Sequence, residues 1–233
     1  MTMAIMTSSK NLLRFFLLAL SLTAVHPKAG DDEMAITCGS VIKIRSPDSN
    51  FYLSSEEKSL GGGSGQQIVT FQKSKATKNT LWHVRPANHG KEGETEYPEE
   101  ATCQLAEPIK CNTAIRLTHL GTQKNLHSHG VPSPMSRQQE VTAYGEGDGK
   151  GDGGDDWIIR CMAPKAQYWK RGEPFHLFHR DTSKFLGTSK KLEFNTNTCG
   201  QQCPIMGHLE AFGRGTNDKF TEFIVEQGIH ISK

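Results

Sequence analysis

Ile42-Lys43-Ile44-Arg45-Ser46-Pro47-Asp48-Ser49-Asn50-Phe51-Tyr52-Leu53 is the first of three related segments. The second is Ile115-Arg116-Leu117-Thr118-His119-Leu120-Gly121-Thr122-Gln123-Lys124-Asn125-Leu126, and the third is Phe175-His176-Leu177-Phe178-His179-Arg180-Asp181-Thr182-Ser183-Lys184-Phe185-Leu186. Each starts apolar–basic–apolar, the period-two alternation of a strand with one buried face. A polar turn follows, and a leucine returns 11 residues after the first anchor. Gln-Gln pairs recur downstream at 66–67, 138–139 and 201–202. Each unit closes on an aromatic in an alternating run, at Trp82, Trp157 and Phe223, three residues that read as core. The opening anchors stand 73 and 60 residues apart and the closing aromatics 75 and 66. Four short strands with one apolar face make too little core for a unit alone, so three units must share one. The prediction is an all-β chain closed into a β-trefoil, closure also removing free sheet edges. An open array of three sandwich-like strand pairs is the alternative.

Outside the repeats the chain is polar. Residues 88–108 are rich in Glu, Gly and Pro and read as a loop between units one and two. Residues 145–156 form a Gly/Asp excursion inside unit two, and 164–172 read as the joint to unit three. At the start, Lys10 and Arg14 precede an apolar run from Phe15 to Val25, the pattern of a signal peptide over residues 1–24, with cleavage between 24 and 30. The run is too short to span a bilayer, so no membrane insertion is expected. Of 233 residues, 35% are hydrophobic and 22% charged, which argues against both a membrane-embedded and a disordered chain. A chain this long buries roughly 70% of the surface its unfolded form exposes, enough to fold without disulfides. Net charge is +2 from 27 basic and 25 acidic residues; losing residues 1–24 removes two basic ones and leaves 25 of each. That balance makes no electrostatic case for nucleic acid. Six cysteines remain (Cys38, Cys103, Cys111, Cys161, Cys199 and Cys203), an even count that suits disulfides in an oxidising compartment. Fifteen full pairings are open, although Cys199 and Cys203 are placed to close a small loop.

Several segments carry a resemblance. Thr37-Cys38-Gly39-Ser40-Val41-Ile42-Lys43, Gly63-Ser64-Gly65-Gln66-Gln67, Ile109-Lys110-Cys111, Asn125-Leu126-His127-Ser128-His129 and Asp155-Asp156-Trp157 resemble the MIR family, and within it the group of stromal cell-derived factor 2. The likeness covers residues 35–227, with repeats over 33–87, 106–162 and 165–227. It implies a β-trefoil of the endoplasmic reticulum. It also implies a non-enzymatic quality-control role beside a J-domain co-chaperone and a BiP-type lumenal chaperone, holding unfolded clients soluble. Two departures stand out. Leu53-Ser54-Ser55-Glu56 and Leu186-Gly187-Thr188-Ser189 replace the family's Leu-His-Ser-His segment, which only unit two keeps. The last residues, 228–233, are not a Lys/His-Asp-Glu-Leu signal, so the expectation is retention through a partner, or secretion.

Candidate sites follow from side-chain chemistry. His127 and His129 on a strand share one side, with Ser128 opposite, and together suit a hydrogen-bonded ligand or partner; a structural turn network is the competing reading. His119 joins them if the fold brings it near. Gly63-Ser64-Gly65 before Gln66-Gln67 offers backbone donors, but it lacks Gly-Lys-Ser/Thr and a helix, so it reads first as a hairpin loop. Asp148, Asp152, Asp155 and Asp156 suggest calcium by composition only, without the loop pattern, and neither metal nor cofactor is expected. No Gly-x-Ser-x-Gly or His-Glu-x-x-His occurs, so the chain reads as no enzyme. Glycan binding is the alternative function, with Phe51, Tyr52 and Tyr144 as candidate aromatic platforms.

Overall fold

The structure is a computed structural model describing residues 34–59, 61–87, 102–148 and 150–231. The signal segment and residues 88–101 of the first linker lie outside the described residues. Twelve strands follow one another: β1 Val41–Ser46, β2 Phe51–Ser59, β3 Gln67–Gln72, β4 Trp82–Pro86, β5 Ala114–His119, β6 Asn125–Pro132, β7 Gln139–Tyr144, β8 Trp157–Cys161, β9 Phe175–His179, β10 Lys184–Glu193, β11 Leu209–Arg214 and β12 Ile224–Ile229. They fall into three sets of four, one per repeat.

The antiparallel pairs β1–β4, β4–β5, β5–β8, β8–β9 and β12–β1 run round a barrel, and the Phe175–Phe223 bridge closes it. The hairpins β2–β3, β6–β7 and β10–β11 cover one end, where β3, β7 and β11 also pair with one another in a triangle. This is the β-trefoil. The opposite end has its own threefold seam. Ile36 N–H donates to Trp169 O (2.8 Å), Trp169 N–H to Ile109 O (2.8 Å), and Ile109 N–H to Ile36 O (2.9 Å). The three chain entries thereby satisfy one another's backbone groups at the barrel base.

Period-two patterning builds the core. Ile42 and Ile44, Ile115 and Leu117, and Phe175 and Leu177 point inward beside Leu53, Leu126 and Leu186. Trp82, Trp157 and Phe223 are fully buried among them. The two indoles each donate to the carbonyl of their unit's recurring leucine, Trp82 to Leu53 (3.0 Å) and Trp157 to Leu126 (2.8 Å). Buried indole N–H groups usually find such an acceptor, although that of Trp169 has none among the described residues. Phe223 needs none and stacks on Phe71 at 5.4 Å.

Two expectations are corrected. The third Gln-Gln pair, Gln201-Gln202, lies exposed in a turn after the short helix Thr196–Cys199. Pairing register puts Leu209 where Gln67 and Gln139 stand in the other units. Residues 164–172, read as a plain joint, contribute buried Trp169, whose ring lies 4.9 Å from Phe175. Disulfides join Cys38 to Cys103, Cys111 to Cys161 and Cys199 to Cys203, leaving no free cysteine among the described residues.

Candidate functional site

The strand geometry of β6 sets His127 and His129 on one side, their ring centroids 5.2 Å apart, with Ser128 opposite. His127 is buried, and its Nδ1 lies 3.0 Å from Oδ1 of Asp155, which is fully buried. Asp155 sits in the 3-10 turn Gly153–Asp155, started by Asp152 in a reciprocal cap. The other Asp155 oxygen accepts from Asn125 Nδ2 (3.1 Å) and the Asp152 backbone N–H (2.9 Å). Tyr144, 42% exposed, sets its ring 5.0 Å from His127. The Gly/Asp excursion is thus partly ordered by the histidine strand.

His127, Asp152 and Asp155 each bring a ligand atom within 4.8 Å of the others, a nitrogen and oxygen set that suits a divalent cation. Those atoms are already engaged. His127 Nδ1 and Asp155 Oδ1 satisfy each other, and Asp152 Oδ1 accepts from Gly154 N–H at 2.9 Å. The cluster holds a turn.

His129 Nε2 lies 3.2 Å from Oε2 of Glu140, a carboxylate only 2% exposed. Glu140 also accepts from the Ser64 backbone N–H at 3.1 Å. The glycine-rich segment of unit one therefore docks onto unit two. Gly63, at φ +86, leaves no room there for a side chain, since a Cβ would meet the Glu140 carboxylate. Gly65 is left-handed too, at φ +73. Gln66 Oε1 accepts from Thr142 Oγ1 (2.6 Å), and Gln67 Nε2 donates to Ser55 Oγ and Thr122 Oγ1 (both 2.8 Å).

The same docking recurs round the pseudo-threefold axis. Glu210, in register with Glu140, accepts from the Met135 and Ser136 backbone N–H groups at 2.8 and 2.9 Å, so unit three holds the unit-two loop. The position in unit one is Ile68, which packs with Phe194, Cys203 and Ile205 of the unit-three loop. Two loops are fastened by buried carboxylates and one by an apolar cluster with its disulfide. Glu140 and Glu210 were not singled out from sequence, because the alternation sets them on the face opposite the core residues Val141 and Ala211, and their burial comes from the docked loops.

His119 does not join the His127 pair. Its Nε2 faces Asn79 O (3.2 Å), its Nδ1 faces Thr122 Oγ1 (2.9 Å), and its ring lies 5.2 Å from Trp82. Because the Asn79 carbonyl can only accept, Nε2 carries the proton and Nδ1 of the neutral ring accepts from Thr122 Oγ1. Burial, opposed by the Asn79 hydrogen bond and by Glu56, pulls the His119 pKa down from 6.5 to about 4, so the ring is neutral as that network requires. His179 repeats the arrangement in unit three, with Thr182 Oγ1 at 2.7 Å and Gly154 O at 2.8 Å. It is His179 that shares the Asp155 turn with His127. Its signal was its alignment with His119 in the quoted repeats.

Of the aromatic platforms, Tyr52 is buried, and its hydroxyl donates to Glu226 Oε2 at 2.8 Å. Burial, reinforced by Glu226, raises its pKa to about 12. Phe51 is half-buried against the core. Only Tyr144 of the three presents an exposed ring.

Comparison with known proteins accords with this architecture. The MIR domain model matches residues 36–170, the first two units and the start of the third. Stromal cell-derived factor 2-like protein 1 of Bos taurus is 37% identical over 217 residues, 92% of this chain and 86% of that protein. The crystal structure of the SDF2-like protein from Arabidopsis thaliana superposes with a TM-score of 0.71 at 30% identity, covering 85% of this chain and 98% of the other. A protein O-mannosyltransferase complex of S. cerevisiae shares the fold over 84% of this chain and 26% of its own, at 23% identity and TM-score 0.68. The chain therefore belongs to the stromal cell-derived factor 2 group of MIR-domain proteins.

Proposed function

We propose that the protein is a non-enzymatic quality-control factor of the endoplasmic reticulum, working beside a J-domain co-chaperone and a BiP-type chaperone to keep unfolded clients soluble. The observation that carries this reading is the match to the stromal cell-derived factor 2 group along 92% of the chain. Three features support it. Three disulfides behind a signal-like leader suit an oxidising lumen. The chemistry-bearing residues of unit two are spent on fastening loops, which suits a rigid scaffold. Apolar side chains at the barrel base also stand in the open: Leu105 is 67% and Ile229 74% exposed, and Leu105 and Ile231 both approach Gly39.

Affinity capture from lumenal extract with the mature chain, followed by identification of partners, tests the reading. Recovery of a J-domain protein and a BiP-type chaperone is expected, together with slowed aggregation of a model client in their presence. Capture of neither partner would overturn the proposal. A Leu105→Ser, Ile229→Ser double variant with wild-type melting should lose part of the client protection.

Glycan binding is the second reading, favoured by the exposed Tyr144 ring against His127 with Asp152 beside it. An array that includes high-mannose glycans decides it: binding lost on Tyr144→Ala supports a sugar site, and a blank array removes the idea.

A further inference from the structure

The trefoil repeats one groove with two different chemistries. The groove between units one and two is lined by Glu57, Lys58, Ser59, Gly65, Thr122 and Lys124, among others. Strand register maps it onto a groove between units two and three. Ser55 opposite Val69 corresponds to Ser128 opposite Val141, and Ser59 opposite Gln67 to Pro132 opposite Gln139. In the second groove, of about 320 Å³, Glu57 is replaced by Gly130, Lys58 by Val131, Gly65 by Arg137 and Lys124 by Lys184, and Arg214 enters from β11. The acid is gone and three cations face one hollow. No carboxylate lines it among the described residues.

The cations are held differently. Arg214 is braced by Asp218, Nη1 to Oδ2 at 3.0 Å, which fixes its direction. The side chains of Arg137 and Lys184 have no ion-pair or hydrogen-bond partner among the described residues. Gly213 lets Lys184 and Gln139 approach from either side, since a Cβ there would sit 3.2 Å from the Lys184 Cβ and 3.3 Å from the Gln139 Cβ. Arg137 is at φ +60, the left-handed conformation that its counterpart Gly65 adopts freely. An arginine is thus kept at a strained position where the sister loop uses glycine, and its charge lies beside a second unpaired cation.

We propose that this groove binds an anionic ester group, a sulfate or phosphate carried on a soluble ligand. Guanidinium forks suit the tetrahedral oxygens, and the lysine adds a point charge. The sister groove, where Glu57 offsets one of its two lysines, is the poorer host for the same group.

Titration calorimetry of the mature chain with a heparin-derived hexasaccharide and with inositol hexakisphosphate tests this and separates the two sources. At least one probe should bind, with affinity falling as salt screens the charges. Arg137→Gly with Lys184→Gln should weaken binding roughly tenfold or more, while Lys124→Gln in the sister groove leaves it unchanged. Arg137→Gly relieves the left-handed arginine, so that single variant serves if the double variant melts early. Binding of the hexasaccharide alone marks a sulfate site, and of the phosphate alone a phosphate site. No binding by either probe below roughly 1 mM overturns the proposal. So does unchanged affinity in the groove variants, or an equal loss in Lys124→Gln.

Discussion

Trp157 shows what single residues contribute. Its indole is fully buried, donates to Leu126 O and packs 4.8 Å from His179. Trp157→Ala is expected to lower unfolding free energy by roughly 3–5 kcal/mol, read from urea melts. Wild-type melts in that variant would contradict the packing described. His119 gives a pH dependence with a definite sign. Its pKa is about 4 folded and near 6.5 unfolded, so the unfolded chain takes up the proton first as pH falls. Stability is full above about pH 6.5 and declines toward pH 4, by at most roughly 3 kcal/mol from this residue. Burial lowers the pKa values of His179 and His208 as well, and they act in the same direction. Melting followed from pH 7.5 to 4.5 should show the decline, with a shallower slope in His119→Gln. An equal slope would place the proton elsewhere.

Between elements, the decisive contacts are the loop fastenings that cross from one unit to the next. Glu210→Ala leaves the Met135 and Ser136 amides without their acceptor and should cost about 2–3 kcal/mol. Hydrogen exchange at those two amides checks it, since protection should fall there while the β6–β7 ladder stays protected. Retained protection would mean the carboxylate does not hold the loop. The disulfides divide by span. Cys38–Cys103 and Cys111–Cys161 close separations of 65 and 50 residues, and chain entropy assigns each about 4 kcal/mol. Cys199–Cys203 spans four residues and contributes roughly half as much, tightening the apolar fastening around Ile68.

For the whole molecule, closure is the property that matters. β12 pairs along β1 from Ile229 to Ile224, and Phe223 bridges Phe175, so the last strand joins unit three to unit one. A chain ending at Phe223 would expose the edges of β1 and β9. It should lose its cooperative melt and aggregate, measured by calorimetry and light scattering. A cooperative transition in that truncation would show that the barrel closes without β12. The quoted repeats made this closure legible, because Ile42, Ile115 and Phe175 mark equivalent inward positions and the closing aromatics mark the strands that return beside them. The third unit was read less well. Its Gln201-Gln202 sits by chance near the expected spacing, while the helix of Thr196–Cys199 and the Cys199–Cys203 loop occupy the interval before Leu209. Trp169 was missed because its neighbours are polar and its strand-like placing rests on backbone bonds to Ile36 and Ile109, far away in the chain.

By itself the sequence determined the number of units, the inward-facing residues that open and close each one, and the side-by-side placing of His127 and His129. All of these follow from local period-two geometry repeated three times. Only the tertiary structure decided what those side chains meet. The folding of unit two on itself brings Glu140 to His129 and Asp155 to His127, the packing of one unit on the next brings Thr122 to Gln67 and Glu140 to Ser64, and these contacts leave no periodic trace in the sequence. The same packing separates His119 from His127, buries Tyr52 and gathers Arg137, Lys184 and Arg214 in one groove. Burial and charge are set by neighbours in space, and those exist only once the barrel has closed.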